Sequence, residues 1–199
     1  MALAEHEMAK AEVPVGRRLL TAADLACLPD TLPSGPVRYE LWEGELSIMA
    51  PPGDVHGKVE SRVVGILAWL GDFAGLGEAR SGESGVQLAF DPDTVVGVDA
   101  AFLTNDQLPV ETTPEGYLIT MPALVVEVVS KNDTRPAAQR KVDAYLKAGV
   151  RVVWIVDPRQ KTLVVHRSDA PAEVLTETDM LTAEGIIPEL SFPVARLFQ

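Results

Sequence analysis

Two acidic side chains interrupt apolar, strand-like stretches of the sequence. Asp99 stands within 95–103 and Glu127 within 124–129, where most neighbours are valine, alanine or leucine. An ionised carboxylate in apolar surroundings is costly unless a partner neutralises it, and two that meet also repel each other. A bound divalent cation removes both penalties, and because oxygen ligands select hard ions, the pair predicts Mg²⁺ or Mn²⁺ rather than zinc. The alternative is that each acid faces water at a strand edge or pairs separately with an arginine.

A lysine follows on the next predicted helix. Lys141 lies 14 residues after Glu127 and borders the apolar stripe formed by Ala138, Val142 and Leu146. The flexible stem of a lysine in that position can carry its ammonium to a site at the strand ends. The alternative is a solvated charge on the helix surface.

These residues need a scaffold of alternating strands and helices, and the sequence predicts a single mixed α/β domain over 21–199 after an N-terminal extension over 1–20. Trp42, Trp69 and Trp154 all lie in hydrophobic patterns and are predicted to pack in the core. The apolar tail over 188–198 is predicted to dock on the body. The predicted elements are helices over 22–28, 55–74 and 136–148, and strands within 37–50 and over 78–81, 86–91, 95–103, 124–129, 151–156 and 163–166.

Composition limits the classes of function. The chain has 199 residues, 47% of them apolar, which excludes disorder for most of its length. Its single cysteine excludes an intrachain disulfide and a CxxC metal site. No apolar run approaches the roughly 20 residues that a bilayer requires, and the first residues lack the apolar core of a signal peptide. We therefore expect a soluble, cytoplasmic protein.

Charge is distributed unevenly along the chain. The net charge is −12, yet the segment 131–151 carries six basic residues against two acids. An acidic body with one basic segment can hold a nucleic acid locally, with Lys131, Arg135 and Arg140 as the candidate contacts. The alternative is that these charges only solvate one helix.

The two acids and their surroundings resemble the PD-(D/E)XK nuclease superfamily, which has the restriction-endonuclease-like fold. Within it the chain is most similar to the Uma-type family of bacterial putative restriction endonucleases, over about residues 21–199. Two positions depart from the superfamily pattern: Val98 replaces the usual proline, and Val129 stands where a lysine is usual. The stretches that carry the resemblance are Tyr39–Leu46, His56, Val98–Phe102, Leu124–Ser130, Lys141–Tyr145 and Gly149–Pro158.

The resemblance implies a mixed β-sheet flanked by helices and Mg²⁺- or Mn²⁺-dependent hydrolysis of DNA phosphodiester bonds. It implies that Asp99, Glu127 and the carbonyl of Val128 hold the metal. Lys141 would replace the lysine missing at 129, orienting the attacking water or neutralising charge on phosphorus. Lys131 is the alternative cation. The supplementary candidates are Glu40, Glu45 and His56.

Two other classes of function stay open at this level. One is a non-catalytic nucleic-acid-binding or assembly module that keeps the nuclease fold. The acidic net charge favours it over a nuclease, because nucleases usually meet DNA with a broader basic face. The other is a metal-dependent hydrolase of a small phosphorylated substrate. Convergence of Asp99 and Glu127 near Lys141 would favour the nuclease. A homodimer fits a duplex with two strands to cut, although no interface pattern stands out.

Overall fold

The computed structural model describes residues 18–131 and 133–199, without the side chain of Glu83. The helices are α1 (Ala22–Ala26), α2 (Asp54–Leu67) and α3 (Arg135–Ala148); a π-helical turn (Ala68–Asp72) extends α2, and 3₁₀ turns cover Asn105–Gln107 and Val194–Leu197. The strands are β1 (Thr31–Leu32), β2 (Gly35–Pro36), β3 (Arg38–Trp42), β4 (Glu45–Met49), β5 (Gly77–Ala89), β6 (Thr94–Thr104), β7 (Leu124–Val128), β8 (Val152–Asp157), β9 (Thr162–Arg167), β10 (Glu173–Thr176), β11 (Met180–Ala183) and β12 (Ile187–Pro193).

Eight of these strands form the central sheet, in the order β10-β9-β8-β7-β6-β3-β4, with β5 paired to β6. Strands β7 and β8 run parallel, whereas the other pairs of this sheet are antiparallel. A parallel connection needs a crossover, and α3 supplies it. The predicted mixed α/β architecture is confirmed.

Strand β6 is the branch point of the sheet. Strand β5 pairs with one edge of β6 along nearly its whole length. The other edge is therefore shared: β3 pairs there at Val95, and β7 pairs there from Ala100 to Phe102. Strands β3 and β7 must diverge between these contacts, and Asp99 lies in β6 at the resulting fork.

The two long helices cover opposite faces of the sheet. On one face, Val63 and Leu67 of α2 join a buried cluster with Leu124 and Val126. On the other, Val142 and Tyr145 of α3 join Val125 and Val153. Because successive strand residues alternate between faces, the parity of β7 places Glu127 on the side of α3.

Helix α3 begins and ends as the sequence predicts. The Thr134 side chain accepts a hydrogen bond from the Ala137 amide, and Pro136 occupies the first turn. Gly149 then adopts a left-handed conformation with φ of 107°, which only glycine adopts without strain. These two signals fix the length of the helix that carries Lys141.

Three predictions about elements and burial are wrong or incomplete. The predicted strands 78–81 and 86–91 are one strand, β5, which continues through a bulge at Gly82 (φ 70°). Trp69 is 72% exposed rather than in the core, although Trp154 is buried. The tail docks as predicted, since Leu190 and Leu197 are buried, but β10 and β11 were not predicted.

Most of the predicted N-terminal extension (1–20) lies outside the described residues. Within the described part, the Leu20 amide donates a hydrogen bond to the Gly44 carbonyl at 2.8 Å, so the chain contacts the domain just before α1. In the described parts of the chain, no helix combines the length and the apolar character needed to span a bilayer.

Candidate active site

The fork between β3 and β7 opens into a groove of about 750 Å³. We call it the first groove. Its walls combine carboxylates, basic side chains and an apolar edge around Pro51 and Pro52. Both strand acids, Asp99 and Glu127, line it. The other charged or titratable lining residues are Arg38, Asp54, His56, Lys131, Asp133, Lys141 and Arg159.

Asp99 is buried and held by the backbone of the neighbouring strand. Its Oδ2 atom accepts a 2.6 Å hydrogen bond from the amide of Val128, beyond the last ladder pair between β6 and β7. The Nε2 atom of His56, on α2, lies 3.2 Å from the same oxygen. The carboxylate thus ties together β6, β7 and α2.

Glu127 faces α3, and two side chains of that helix contact it. The Lys141 ammonium donates to Oε2 at 2.9 Å, and the Tyr145 hydroxyl donates to Oε1. Residues four apart lie on one face of a helix, so both groups approach the same carboxylate. The Glu127 side chain is only 13% exposed.

Lys141 connects the two diverging strands. Its ammonium lies 2.8 Å from Oε1 of Glu40 on β3 as well as 2.9 Å from Oε2 of Glu127 on β7. Glu40 is 3% exposed, and its Oε2 accepts a 2.9 Å hydrogen bond from the indole nitrogen of Trp42. One ammonium therefore forms ion pairs with carboxylates on both sides of the fork.

The protonation states follow from burial and charge. Burial raises the pKa of Glu127 to about 7, helped by the charge of Asp99, against the opposing effects of Lys141 and Tyr145. Burial by itself would lower the pKa of Lys141, but the carboxylates of Glu127 and Glu40 outweigh it and raise that pKa. Burial and Glu127 raise the pKa of Tyr145. Lys141 is therefore an ammonium and Tyr145 a neutral phenol at pH 7, and burial makes it easier for Glu127 to take up a proton.

A second group of potential ligands shares Asp99. One atom each of His56, Glu60 and Asp99 lies within 4.8 Å of the others, and Nδ1 of His56 is 3.7 Å from Oε2 of Glu60. This buried group could hold a metal ion, with one imidazole and two carboxylates as donors. Glu60 was not predicted; its spacing of four residues from His56 on an amphipathic helix is the signal that could have revealed it.

The remaining predicted residues are dispersed. Lys131 lines the first groove, whereas Arg135 is exposed at the start of α3. Arg140 and Glu45 instead line a second groove of about 640 Å³, so the structure separates them from the acid cluster. There the Arg140 guanidinium lies 4.2 Å from the centre of the Trp42 ring, a cation–π contact.

Comparison with known proteins places the chain among nucleases described as putative. Residues 23–195 match the family described as "Uma2: Putative restriction endonuclease". The fold is similar to the crystal structure of a putative nuclease belonging to DUF820 from Anabaena variabilis ATCC 29413, with a TM-score of 0.74 and 20% identity. The alignment covers 90% of this chain and 97% of that chain, which confirms the predicted fold. No curated protein matches the chain in sequence.

Proposed function

Because the chain belongs to the Uma2 family of putative restriction endonucleases, we propose that it is a divalent-metal-dependent endonuclease that hydrolyses phosphodiester bonds of DNA. The observation that carries the proposal is the convergence of Asp99, Glu127 and Lys141 on one groove. Two acids with an adjacent ammonium provide the charges that phosphodiester hydrolysis needs.

The residues present fit a hard divalent cation. Asp99, Glu127 and the carbonyl of Val128 would hold Mg²⁺ or Mn²⁺, and His56 with Glu60 offers further donors next to Asp99. The fit rests on carboxylate oxygens in a buried setting and on the raised pKa of Glu127. A nearby cation would lower that pKa toward its ordinary value, because it favours the ionised carboxylate. When bound, the metal would polarise the phosphate and lower the pKa of a water molecule.

The chain's own residues hold this arrangement in place. The Val128 amide orients the carboxylate of Asp99, and the Tyr145 hydroxyl orients the carboxylate of Glu127, before any ligand binds. Lys141 keeps its proton, so it acts as a fixed positive charge that neutralises charge developing on the phosphate or orients a water.

DNA would approach along the rim of the first groove. Arg38, Lys131 and Arg159 line this groove and are the candidate phosphate contacts. Arg135 is a further candidate on the adjoining helix start. The net charge of −12 opposes binding of a polyanion, so the interaction is expected to need low salt. Two copies of the chain would allow both strands of a duplex to be cut.

The test is cleavage of plasmid, single-stranded and branched DNA with Mg²⁺ or Mn²⁺ at low salt. The proposal expects cleavage that EDTA and the Glu127→Gln variant abolish. Glu177→Gln is the matched control, since Glu177 pairs with Lys161 on an exposed surface. Cleavage that survives Glu127→Gln would overturn the assignment.

A second candidate function has one observation in its favour. Both acids already contact protein cations or imidazole: Glu127 contacts Lys141, and Asp99 contacts His56. Such pairing satisfies buried charges without a metal, as a non-catalytic nucleic-acid-binding module requires. DNA binding that is independent of metal, with no cleavage of any substrate, would favour it. Hydrolysis of a small phosphodiester with no cleavage of DNA would indicate a small-substrate hydrolase instead.

A further inference from the structure

We propose that Trp42 is a positioning residue that acts through Glu40 on the Lys141 ammonium. The inference rests on the proposed function, because Lys141 matters to hydrolysis only if the first groove is an active site. It adds a role for Trp42, a residue that lines the second groove rather than the first.

The first step is the contact between Trp42 and Glu40. The two oxygens of Glu40 have different partners: Oε1 lies 2.8 Å from Lys141 Nζ, and Oε2 accepts a 2.9 Å hydrogen bond from Trp42 Nε1. Because Glu40 is 3% exposed, water cannot easily replace either partner. The indole N–H thus fixes the rotation of the carboxylate, and the carboxylate holds the ammonium through the ion pair at Oε1.

The second step is what holds the indole ring. The guanidinium of Arg140 lies 4.2 Å from the ring centre, and Arg140 directly precedes Lys141 on α3. Consecutive residues of one helix therefore contact β3 at two points, one through the ring of Trp42 and one through Glu40. The path from the second groove to Glu127 runs through Arg140, Trp42, Glu40 and Lys141.

A merely structural role for Trp42 would depend on its ring, whereas positioning depends on its N–H. Trp42→Phe separates the two, because phenylalanine keeps an aromatic face for Arg140 and lacks the donor. We expect kcat to fall about tenfold with an unchanged KM, the size of a lost hydrogen bond to a charged group. Trp69→Phe is the matched control, since Trp69 is 72% exposed and lines neither groove.

A second measurement reads the contact without any activity. In ¹H–¹⁵N spectra the indole signal that Trp42→Phe removes belongs to Trp42. Glu40→Gln should shift that signal, because a neutral amide accepts more weakly than a carboxylate. In turn, Trp42→Phe should shift the Lys141 ammonium signal, and Trp69→Phe should not.

The outcomes separate this inference from the proposed function. Shifts in both signals with a selective loss of kcat support it. The inference is overturned if the Trp42 indole signal does not shift in Glu40→Gln. It is also overturned if kcat is the same in Trp42→Phe and in Trp69→Phe. If the wild type cleaves no substrate, the proposed function fails, and the inference fails with it as a statement about catalysis, even where the spectra show the contact.

Discussion

The backbone amide of Val128 donates a 2.6 Å hydrogen bond to the carboxylate of Asp99. This contact lies past the last ladder pair of β6 and β7, so a side chain continues the connection where the backbone pairing ends. It also fixes Asp99 relative to Glu127, the residue before Val128. The two acids are therefore held at the fork by one short segment of β7.

Loss of Glu127 should abolish binding of the proposed cation. In Glu127→Ala the first groove retains Asp99 but loses the carboxylate contributed by β7. Titration calorimetry with Mn²⁺ should show heat of binding for the wild type and none for the variant. Glu45→Ala is the control, since Glu45 lines the second groove. Unchanged Mn²⁺ affinity in Glu127→Ala would contradict the proposal that Glu127 holds the metal.

Lys141 should matter for hydrolysis rather than for metal affinity. Lys141→Met removes an ammonium that competes for Glu127 and Glu40, so Mn²⁺ affinity should stay equal or increase. Hydrolysis should fall by at least about a hundredfold, as for loss of a preorganised charge at the reacting group. Parallel calorimetry and cleavage assays check this against Lys161→Met. A variant that cleaves at the wild-type rate would leave Lys131 as the remaining candidate cation.

Stability in EDTA should depend on pH through Glu127. Burial raises the pKa of this carboxyl from 4.5 to about 7, so between these values the folded state holds more protons than the unfolded state. The free energy of unfolding therefore falls as pH rises through this window, and the loss is complete above the folded pKa. Glu127→Gln removes this titration.

As pH rises from 4.5 to 7, Glu127→Gln should become more stable relative to the wild type, by up to about 3 kcal/mol in the free energy of unfolding. Urea unfolding at several pH values gives this difference directly. The Lys141→Met background supplies a second comparison, because removal of the ammonium should increase the effect. A difference that is constant with pH would show that Glu127 stays ionised in the folded protein.

His56 should distinguish between divalent ions. Its imidazole lies with Glu60 and Asp99 in a group that could hold a metal. Nitrogen ligands favour Mn²⁺ over Mg²⁺. His56→Ala should therefore lower the affinity for Mn²⁺ by about tenfold more than the affinity for Mg²⁺. Equal losses for the two ions would place His56 outside the metal's contacts, as a partner of Asp99 alone.

Local sequence pattern was enough to single out three residues of the candidate site. Asp99 and Glu127 stand out because they interrupt apolar strands, and Lys141 because helical spacing places it beside an apolar stripe. Both signals lie within a few residues of the group itself. Their proposed roles are not tested by this geometry and remain predictions.

The parts that depend on contacts between distant segments were not predictable from one sequence. The hydrogen bond from Trp42 to Glu40 and the approach of Glu60 to His56 require knowing how β3 and α2 face the sheet. The exposure of Trp69 was missed because its residue type suggests burial, whereas it lies to one side of the apolar stripe of the helix, within the turn over Ala68–Asp72.

The sharing of one β6 edge by two strands has a consequence for how the protein tolerates substitution. The main-chain pairing of β6 sets the width of the opening, and β5 pairs along the opposite edge of β6, with a bulge at Gly82. Wall side chains that do not connect the strands can therefore be exchanged without collapse of the space between them. A scaffold of this kind lets the preference for a substrate vary while the framework that surrounds the chemistry keeps its shape.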